Sequence, residues 1–344
     1  MKAVIIHAPR DLRVEDAAIP ELGPRDVKVR IRAGGICGSD LHYYLDGGFG
    51  AVRIREPMIL GHEIAGEIAE IGEEVTRLRP GSRVAVNPSL PCGHCAYCLE
   101  GKANHCLDMR FYGSAMRMPH VQGGFRELLV CSEAQVVPVP ADVQLEIAAF
   151  AEPLSVCLHA ARRAGPLLGR RILVTGIGPI GALAILAARH AGAREIVATD
   201  IVDAPVALAR KLGADAALNV ATEKDALARF GADKGYFDAV IEASGSATAL
   251  RSAFDVVKPM GTIVQVGVAG GDMTLPTNVL VAKEIELRGT FRFHEEFAFA
   301  VDLLSRGAID VAPLLTEVVP LADAVRAFEL AADKSRAIKV QLAL

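Results

Sequence analysis

From about residue 171 to residue 288, short apolar runs alternate with longer stretches rich in Ala and Leu. The short runs indicate buried strands, because parallel strands covered on both faces show little polar alternation. Five strands are predicted, at 171–175, 195–199, 237–243, 262–268 and 284–289. Helices are predicted between them at 181–191 and 204–212, with Gly213 ending the second. This alternation predicts a parallel sheet with crossover helices.

The first 130 residues show a different pattern, in which short apolar strands are separated by glycine and proline turns. Strands are predicted at 27–32, 64–71 and 83–86, typical of a compact β-rich domain of low regularity. Towards the end of the chain, helices are predicted at 297–305 and 322–332. A last strand at 337–342 is expected to return to this first domain.

Composition and charge narrow the class of protein. The 344 residues are 51% hydrophobic and 23% charged, which predicts a folded α/β chain of about two domains. The net charge of -4 leaves no basic surplus for nucleic-acid phosphates or an anionic membrane. The longest uncharged run, 172–188, is interrupted by glycines, and the charged N-terminus lacks a secretory pattern. We therefore expect a cytoplasmic protein with neither nucleic acid nor membrane as a partner.

Four of the seven cysteines share one short segment with the spacing CxxCxxCx7C. They are Cys92, Cys95, Cys98 and Cys106. In a reducing compartment this density favours a metal over disulfides. Four thiolates complete a tetrahedral Zn²⁺ and leave no open position, so a structural zinc is predicted. The adjacent His94 and His105 are interpreted as bystanders. A zinc-ribbon module that binds DNA is the alternative, and the absent basic patch disfavours it.

A second, scattered set of metal-ligating residue types comprises Cys37 in GGICGSDLH, His62 and Glu63 in GHE, and Glu152 in AEP. Three mixed ligands and a water would hold an open, catalytic zinc. Adjacent side chains on an extended strand point to opposite faces, so His62 and Glu63 can share a metal only where the backbone turns. Glu152 is therefore an alternative third ligand.

A glycine-rich motif follows the predicted strand at 171–175 and opens a helix, as in dinucleotide-binding folds. It comprises Gly176, Gly178, Pro179, Ile180 and Gly181. The glycines permit a tight turn and the close approach of a pyrophosphate. Asp200 ends the next strand, where a carboxylate accepts the ribose hydroxyls and repels a 2′-phosphate. The motif predicts NAD rather than NADP as the cofactor.

Taken in order, GGICGSDLH, GHE, the four-cysteine segment, AEP and GIGPIG resemble the zinc-dependent medium-chain dehydrogenases, in their polyol (sorbitol) dehydrogenase branch. The resemblance covers nearly the whole chain. It implies a GroES-like catalytic domain at 1–147 and 290–344, and a Rossmann domain, a doubly wound parallel sheet, at 148–289. It also implies two Zn²⁺ per chain and a homotetramer.

The resemblance also assigns roles to individual residues. It implies a catalytic zinc bound by Cys37, His62, Glu63 and a water. Glu152 would contact that water or the substrate, or exchange as a ligand. Ser39 matches the hydroxyl that takes the substrate proton, and His42 matches the outer member of a relay through the cofactor ribose. Tyr43 and Arg292 match positions that line the polyol pocket.

The loop at 111–124 differs from that of animal sorbitol dehydrogenases, and further motifs resemble a branch that oxidises a sugar acid. These motifs are NPSLPCGHCAYC, MRFYGSAM, PHVQGGF and LRGTFRF. A carboxylate on the substrate requires a cation at a distance from the zinc. Arg292 is the first candidate, with Arg110, Arg117 and His120 in reserve. A neutral polyol is the alternative substrate, and a catalytically silent NAD-binding regulator is the alternative outside enzymes.

Overall fold

The computed structural model describes residues 1–223 and 225–344. Its larger mixed sheet has seven strands, six of which form a continuous path. In spatial order these are Val136–Pro138, Arg83–Val86, Glu63–Ile71, Asp26–Gly35, Lys339–Ala343 and Leu315–Pro320, and the seventh, Leu128–Ser132, pairs with Asp26–Gly35. The strand predicted at 27–32 is present and longer at both ends. It buries Val27, Val29 and Ile31 on the core face, in the alternation expected of a half-exposed strand.

Three smaller sheets and several helices complete this β-rich part. The three-stranded sheet contains, in spatial order, Asp11–Asp16, Lys2–Ala8 and Met58–Ile59. Of the two-stranded sheets, one pairs Ser89–Leu90 with Arg110–Phe111 and the other pairs Gly48–Phe49 with Val52–Arg53. The α-helices here are Gly38–Asp46, Ala96–Leu99, Leu145–Ala148, Glu296–Ser305 and Ala324–Ala332. The 3-10 helices are Ala103–His105, Glu133–Gln135, Ala312–Leu314 and Leu321–Asp323.

The second sheet has six strands, and all of its pairings are parallel. Its order is Ala216–Asn219, Glu195–Asp200, Arg171–Thr175, Phe237–Glu242, Val257–Gln265 and Glu286–Gly289. The helices around it are Ala151–Ala164, Pro179–His190, Asp203–Lys211, Ala247–Val256 and Thr277–Lys283, with a 3-10 segment at Ala228–Lys234. The five predicted strands are confirmed. The missed strand, Ala216–Asn219, is a four-residue edge strand with two alanines, which carry little β propensity.

The last strand joins the end of the chain to its beginning, as predicted. Gln341 and Leu342 pair with Gly35 and Gly34 of the central strand of the mixed sheet. This pairing places residues from both ends of the sequence beside the start of Glu63–Ile71, which pairs with the same glycines. No helix in the described ranges is long and apolar enough to cross a membrane.

Candidate active site

Cys37, His62 and Glu63 come together where the mixed sheet ends. Cys37 is the N-cap residue of the helix Gly38–Asp46, and Glu63 is the first residue of its strand. One sulfur, ring nitrogen or carboxylate oxygen from each lies within 4.8 Å of the others. Thiolate, imidazole and carboxylate are the donors that zinc prefers, so the chemistry of this group fits that ion.

The backbone does turn before His62 and Glu63, as a shared metal requires. Gly61 has a φ of +93°, and a Cβ there would lie 2.2 Å from a carbon of the Phe125 ring. Gly35, opposite Glu63, has a similar steric role, because a Cβ would lie 2.1 Å from Glu63 Oε2. Two glycines therefore make the space in which the imidazole and the carboxylate meet.

Asp40, which was not predicted from the sequence, connects Cys37 with the turn that precedes His62. Its buried carboxylate accepts hydrogen bonds from Cys37 N at 3.0 Å and Gly61 N at 3.2 Å. It also lies 3.8 Å from His62 Nδ1, a buried atom with no hydrogen-bond partner among the described residues. A carboxylate beside Nδ1 of the His62 ring leaves Nε2 of that ring free to bind a cation. The signal was present, since an acidic residue three positions after an N-cap forms a capping box.

Lys339, from the last strand, supplies a buried cation to the same group. Its Nζ donates to Glu63 Oε1 at 2.8 Å, to Glu63 Oε2 at 2.7 Å and to the Ile36 carbonyl at 3.1 Å. Both charged side chains are 2% exposed. A carboxylate that accepts these bonds keeps further lone pairs for a metal. Nothing local in the sequence indicated this contact, because 276 positions separate the partners.

Glu152 lies beside the cluster rather than within its compact set of ligand atoms. It is buried in the first turn of Ala151–Ala164. The pKa of Glu152 is raised to about 8, mainly by burial. His62 opposes this rise, whereas Glu63 and Cys37 add to it. Burial and Glu63 likewise raise the pKa of the Cys37 thiol to about 12. Several acidic groups thus face one buried ammonium, and a bound divalent cation would reverse both shifts.

Ser39 and His42 share one face of the helix that Cys37 caps. They are three positions apart, so their side chains lie one turn from each other. His42 is exposed and lies 3.6 Å from Asp46, between Nδ1 and a carboxylate oxygen. Tyr43 is buried, and its hydroxyl accepts a hydrogen bond from Ala115 N at 3.0 Å.

A cavity of about 450 Å³ opens next to the cluster. Phe111 lies at the boundary, with its ring 5.4 Å from the His62 ring. Arg292 lines the cavity with its guanidinium 4.0 Å from the Phe111 ring centroid and its Nη2 3.1 Å from Met116 Sδ. The pKa of Arg292 is lowered to about 10, because the effect of burial outweighs the opposing effect of nearby Glu152. The cavity therefore contains a partly buried cation with no ion pair in the described part of the chain.

Of the three reserve cations, Arg117 also lines this cavity, but it forms an ion pair with Asp108. Arg117 donates to the carbonyls of Met109 and Leu107, at 2.9 and 2.5 Å. His120 is engaged by Arg55 N at 2.8 Å and by the Arg117 carbonyl at 2.7 Å, so both ring nitrogens are used. Arg110 is exposed and lies outside the cavity lining. Arg117 and His120 thus stabilise the loop at 111–124, which leaves Arg292 for a ligand.

The four cysteines of the short segment also converge. Their sulfur atoms lie within 4.8 Å of one another. Backbone N–H groups point at them: Cys92 N is 3.2 Å from Cys106 Sγ, and Leu107 N is 3.5 Å from Cys95 Sγ. The bond from Leu107 is the first of several that lower the pKa of Cys95 to about 6. Amide donors around four thiols fit a closed metal site. His94 and His105 lie outside this group.

The glycine motif forms the turn between Arg171–Thr175 and Pro179–His190. Gly176 has a φ of +80°, and a Cβ on Gly181 would lie 1.7 Å from the Gly176 carbonyl oxygen. Gly178 caps the helix and has open space around it. Pro179 and Ile180 then form the first helical turn, whose free N–H groups attract phosphate. Asp200 faces this turn and accepts a hydrogen bond from Ile177 N at 2.6 Å.

Comparison with known proteins identifies the family of this chain. The family model "Alcohol dehydrogenase GroES-like domain" matches residues 23–141, and "Zinc-binding dehydrogenase" matches 179–306. The L-idonate 5-dehydrogenase (NAD(P)⁺) of Escherichia coli is 45% identical over 91% of this chain and 90% of its own. The chain belongs to the zinc-binding alcohol dehydrogenases. It is an oxidoreductase of this family, whose members act on CH–OH groups with NAD(P).

A solved structure and one further relative are also similar to this zinc-binding dehydrogenase. The crystal structure of L-idonate 5-dehydrogenase from E. coli superposes with a TM-score of 0.96 at 42% identity, covering 100% of this chain and 98% of that one. A sorbitol dehydrogenase of Bacillus subtilis is 35% identical over 99% of this chain and 97% of its own. The predicted resemblance and the GroES-like and Rossmann folds are confirmed.

Proposed function

We propose that this dehydrogenase oxidises the C5 hydroxyl of L-idonate to 5-keto-D-gluconate with NAD. The observation that supports this choice is Arg292, a cation without an ion-pair partner in the cavity beside Cys37, His62 and Glu63. A sugar acid carries a carboxylate several carbons from the reacting hydroxyl, and a guanidinium binds that group through charge-assisted hydrogen bonds. The name of the E. coli relative supports the same substrate.

In this proposal Cys37, His62 and Glu63 hold the catalytic zinc, and the four cysteines hold a structural one. When bound, zinc acts as a Lewis acid that lowers the pKa of the substrate hydroxyl, and NAD accepts the hydride. Asp40 fixes the His62 ring and the start of the helix. Lys339 fixes the Glu63 carboxylate. The cluster is thereby preorganised before substrate arrives.

We assign the removal of the substrate hydroxyl proton to Ser39 and His42, which lie on the helix Gly38–Asp46. Ser39 is placed at the start of this helix, next to Cys37; its hydroxyl accepts that proton and passes its own proton on towards His42. His42 lies one turn away on the same face and is exposed, so its imidazole passes the proton to solvent. Glu152 and Tyr43 contact the substrate in this proposal, and burial of Tyr43 raises the pKa of its hydroxyl.

Substituting Arg292 by alanine tests the substrate assignment. We expect the KM for L-idonate to rise roughly tenfold to a hundredfold, because a hydrogen bond to a charged group is worth about 1.5–3 kcal/mol. The KM for L-iditol, the neutral polyol of the same stereochemistry, should change little. Steady-state kinetics with both substrates measures the difference, and Arg110→Ala is the control because Arg110 lies outside the cavity lining.

The same kinetics separates the sugar acid from the alternative, a neutral polyol. The similarity to the B. subtilis sorbitol dehydrogenase supports the neutral polyol as substrate. If sorbitol or xylitol is turned over more efficiently than L-idonate by the unmodified enzyme, the polyol replaces the acid as substrate. A preparation that binds NAD but oxidises none of these compounds would indicate a regulator.

The cofactor preference depends on Asp200. Its carboxylate lies at the glycine turn, where it repels a 2′-phosphate. Asp200→Ser should therefore raise kcat/KM for NADP relative to NAD roughly tenfold or more, since charges a few ångströms apart near a protein surface interact by a few kcal/mol. Kinetics with both cofactors measures this ratio. Asp203→Ser is the control, because that carboxylate bonds Asn219 instead. Equal efficiency with both cofactors in the unmodified enzyme would refute the preference.

The assembly and location of the enzyme are part of the same proposal. The family resemblance supports a homotetramer, and the sequence pattern supports the cytoplasm. Light scattering on the purified enzyme measures the number of chains directly. A mass corresponding to one or two chains would refute the tetramer without affecting the proposed reaction.

A further inference from the structure

The four-cysteine lobe, defined here as residues 92–106, contacts the turn that carries Arg292. The buried Asn104 donates from Nδ2 to the Phe291 carbonyl at 3.1 Å. The next residue, His105, stacks on the Phe291 ring, with centroids 5.9 Å apart and planes 27° apart. Two consecutive lobe residues thus hold the residue that directly precedes Arg292.

The turn at Arg292 depends on contacts from outside it. Arg292 has a φ of +53°, in the left-handed region that side chains other than glycine adopt at a cost. Surrounding structure must compensate for that cost. The guanidinium lies 4.0 Å from the Phe111 centroid and 5.0 Å from the Phe291 centroid. A shift of Phe291 therefore changes both the backbone and one of the two rings that orient the cation.

The lobe also contributes directly to the lining of the cavity. Cys106 itself lines the cavity, and Arg117 bonds the carbonyls of Leu107 and Met109, the segment that follows it. Met116, adjacent to Arg117, contacts Arg292 through its sulfur. Phe291 and Met116, which both contact the Arg292 guanidinium, are therefore both connected to the four-cysteine lobe.

We propose that Asn104 and His105 are positioning residues that orient Arg292 towards the carboxylate of the substrate. The four-cysteine lobe thereby takes part in choosing acids over neutral polyols, in addition to stabilising the fold. This inference rests on the proposed function, in which Arg292 binds that carboxylate. A lobe that only stabilised the fold would affect acids and polyols alike.

The experiment compares three variants with the unmodified zinc-loaded enzyme. Asn104→Asp keeps the size of the side chain and removes the N–H donor, Asn104→Ala removes both, and His105→Ala removes the stacked ring. We expect the KM for L-idonate to rise about fivefold for each Asn104 variant, because a net hydrogen bond contributes about 1 kcal/mol. The kcat with L-idonate and both constants with L-iditol should stay unchanged.

Two controls separate positioning from general damage to the lobe. His94→Ala removes the other histidine beside the cysteines, which is exposed and bonds the Cys92 carbonyl rather than Phe291. It should leave the acid KM unchanged. The zinc content of each variant should match that of the unmodified enzyme, and thermal unfolding should show that each variant is fully folded at the assay temperature. Calorimetric titration of L-idonate into the enzyme without NAD should show the same loss of affinity as the kinetics.

Combining the substitutions tests whether Asn104 acts through Arg292. In the Arg292→Ala background, Asn104→Asp should add no further rise in the acid KM, because groups that act through one contact are not additive. Independent addition of the two effects, or equal effects on L-idonate and L-iditol, would overturn the inference. If Arg292→Ala acts and the Asn104 variants do not, the inference alone fails. If Arg292→Ala leaves the acid KM unchanged, the carboxylate assignment fails and this inference with it.

Discussion

Replacing Cys37 with serine should abolish most alcohol oxidation while the fold remains intact. A serine hydroxyl is a poor zinc ligand, and losing Lewis-acid stabilisation of several kcal/mol corresponds to about a thousandfold in kcat. The fold should tolerate the change because Cys37 is an N-cap residue and serine is favoured there. Kinetics, metal analysis and thermal unfolding on one preparation measure the three effects. Zinc content should fall from two per chain to one.

Cys95→Ser is the matched comparison, since it exchanges the same atom in the other cluster. It should lower zinc content and unfolding temperature together, because a closed four-thiolate site contributes directly to folding. Metal analysis that finds one zinc in the unmodified enzyme, unaffected by Cys95→Ser, would contradict two zinc sites with separate roles. More than a tenth of the normal activity in Cys37→Ser would contradict the assignment of the catalytic site.

Replacing Lys339 with methionine should strongly destabilise the enzyme when no metal lies at the Cys37 cluster. The change leaves the Glu63 carboxylate buried without its cation, and breaking a buried ion pair from one side costs about 3–5 kcal/mol. The Cys37→Ser background provides that metal-free state. In the zinc-loaded unmodified background the loss should be smaller, because the metal compensates Glu63. Urea denaturation of both pairs gives the free energies of unfolding.

This comparison also decides between Glu63 and Glu152 as the third protein ligand. If Glu63 does not bind the metal, Lys339→Met should cost the same free energy of unfolding in both backgrounds. Adding Glu63→Gln to Lys339→Met is the control, because it removes the unpaired charge. The double variant should recover most of the lost stability in the Cys37→Ser background, as expected when both partners of a buried pair are neutralised.

The parts of this structure that were predictable from sequence are those encoded by local spacing. The turn between Arg171–Thr175 and Pro179–His190 requires glycines at fixed offsets, and the four cysteines lie within one segment, so both patterns are visible in a single window. The parallel strands were equally visible, because burial on both faces leaves continuous apolar runs. Ala216–Asn219 lacks such a run and was missed.

The contacts that complete the site depend on distance in space, and sequence spacing does not encode them. Lys339 meets Glu63 only because the last strand pairs with Gly34 and Gly35 on one side, while Glu63 pairs with Gly35 on the other side. Asn104 meets Phe291 across 187 positions. Strand geometry predicted that His62 and Glu63 could share a metal only if the backbone turned before Glu63. It did not predict that the backbone makes this turn. Gly61 supplies that turn, through a φ that only the folded structure reveals.

The pairing of Glu63 with Lys339 has a consequence for how the chain acquires activity during synthesis. At about 5–20 residues per second, the 276 positions between the partners take roughly 15–55 s to translate. Throughout that interval the ribosome has delivered Cys37, His62 and Glu63 without the ammonium group that balances them or the strand that carries it. The parallel sheet, encoded entirely within the interval, is free to fold first. The metal cluster is therefore completed last, once the strand that carries Lys339 has been translated and has paired with the central strand of the mixed sheet.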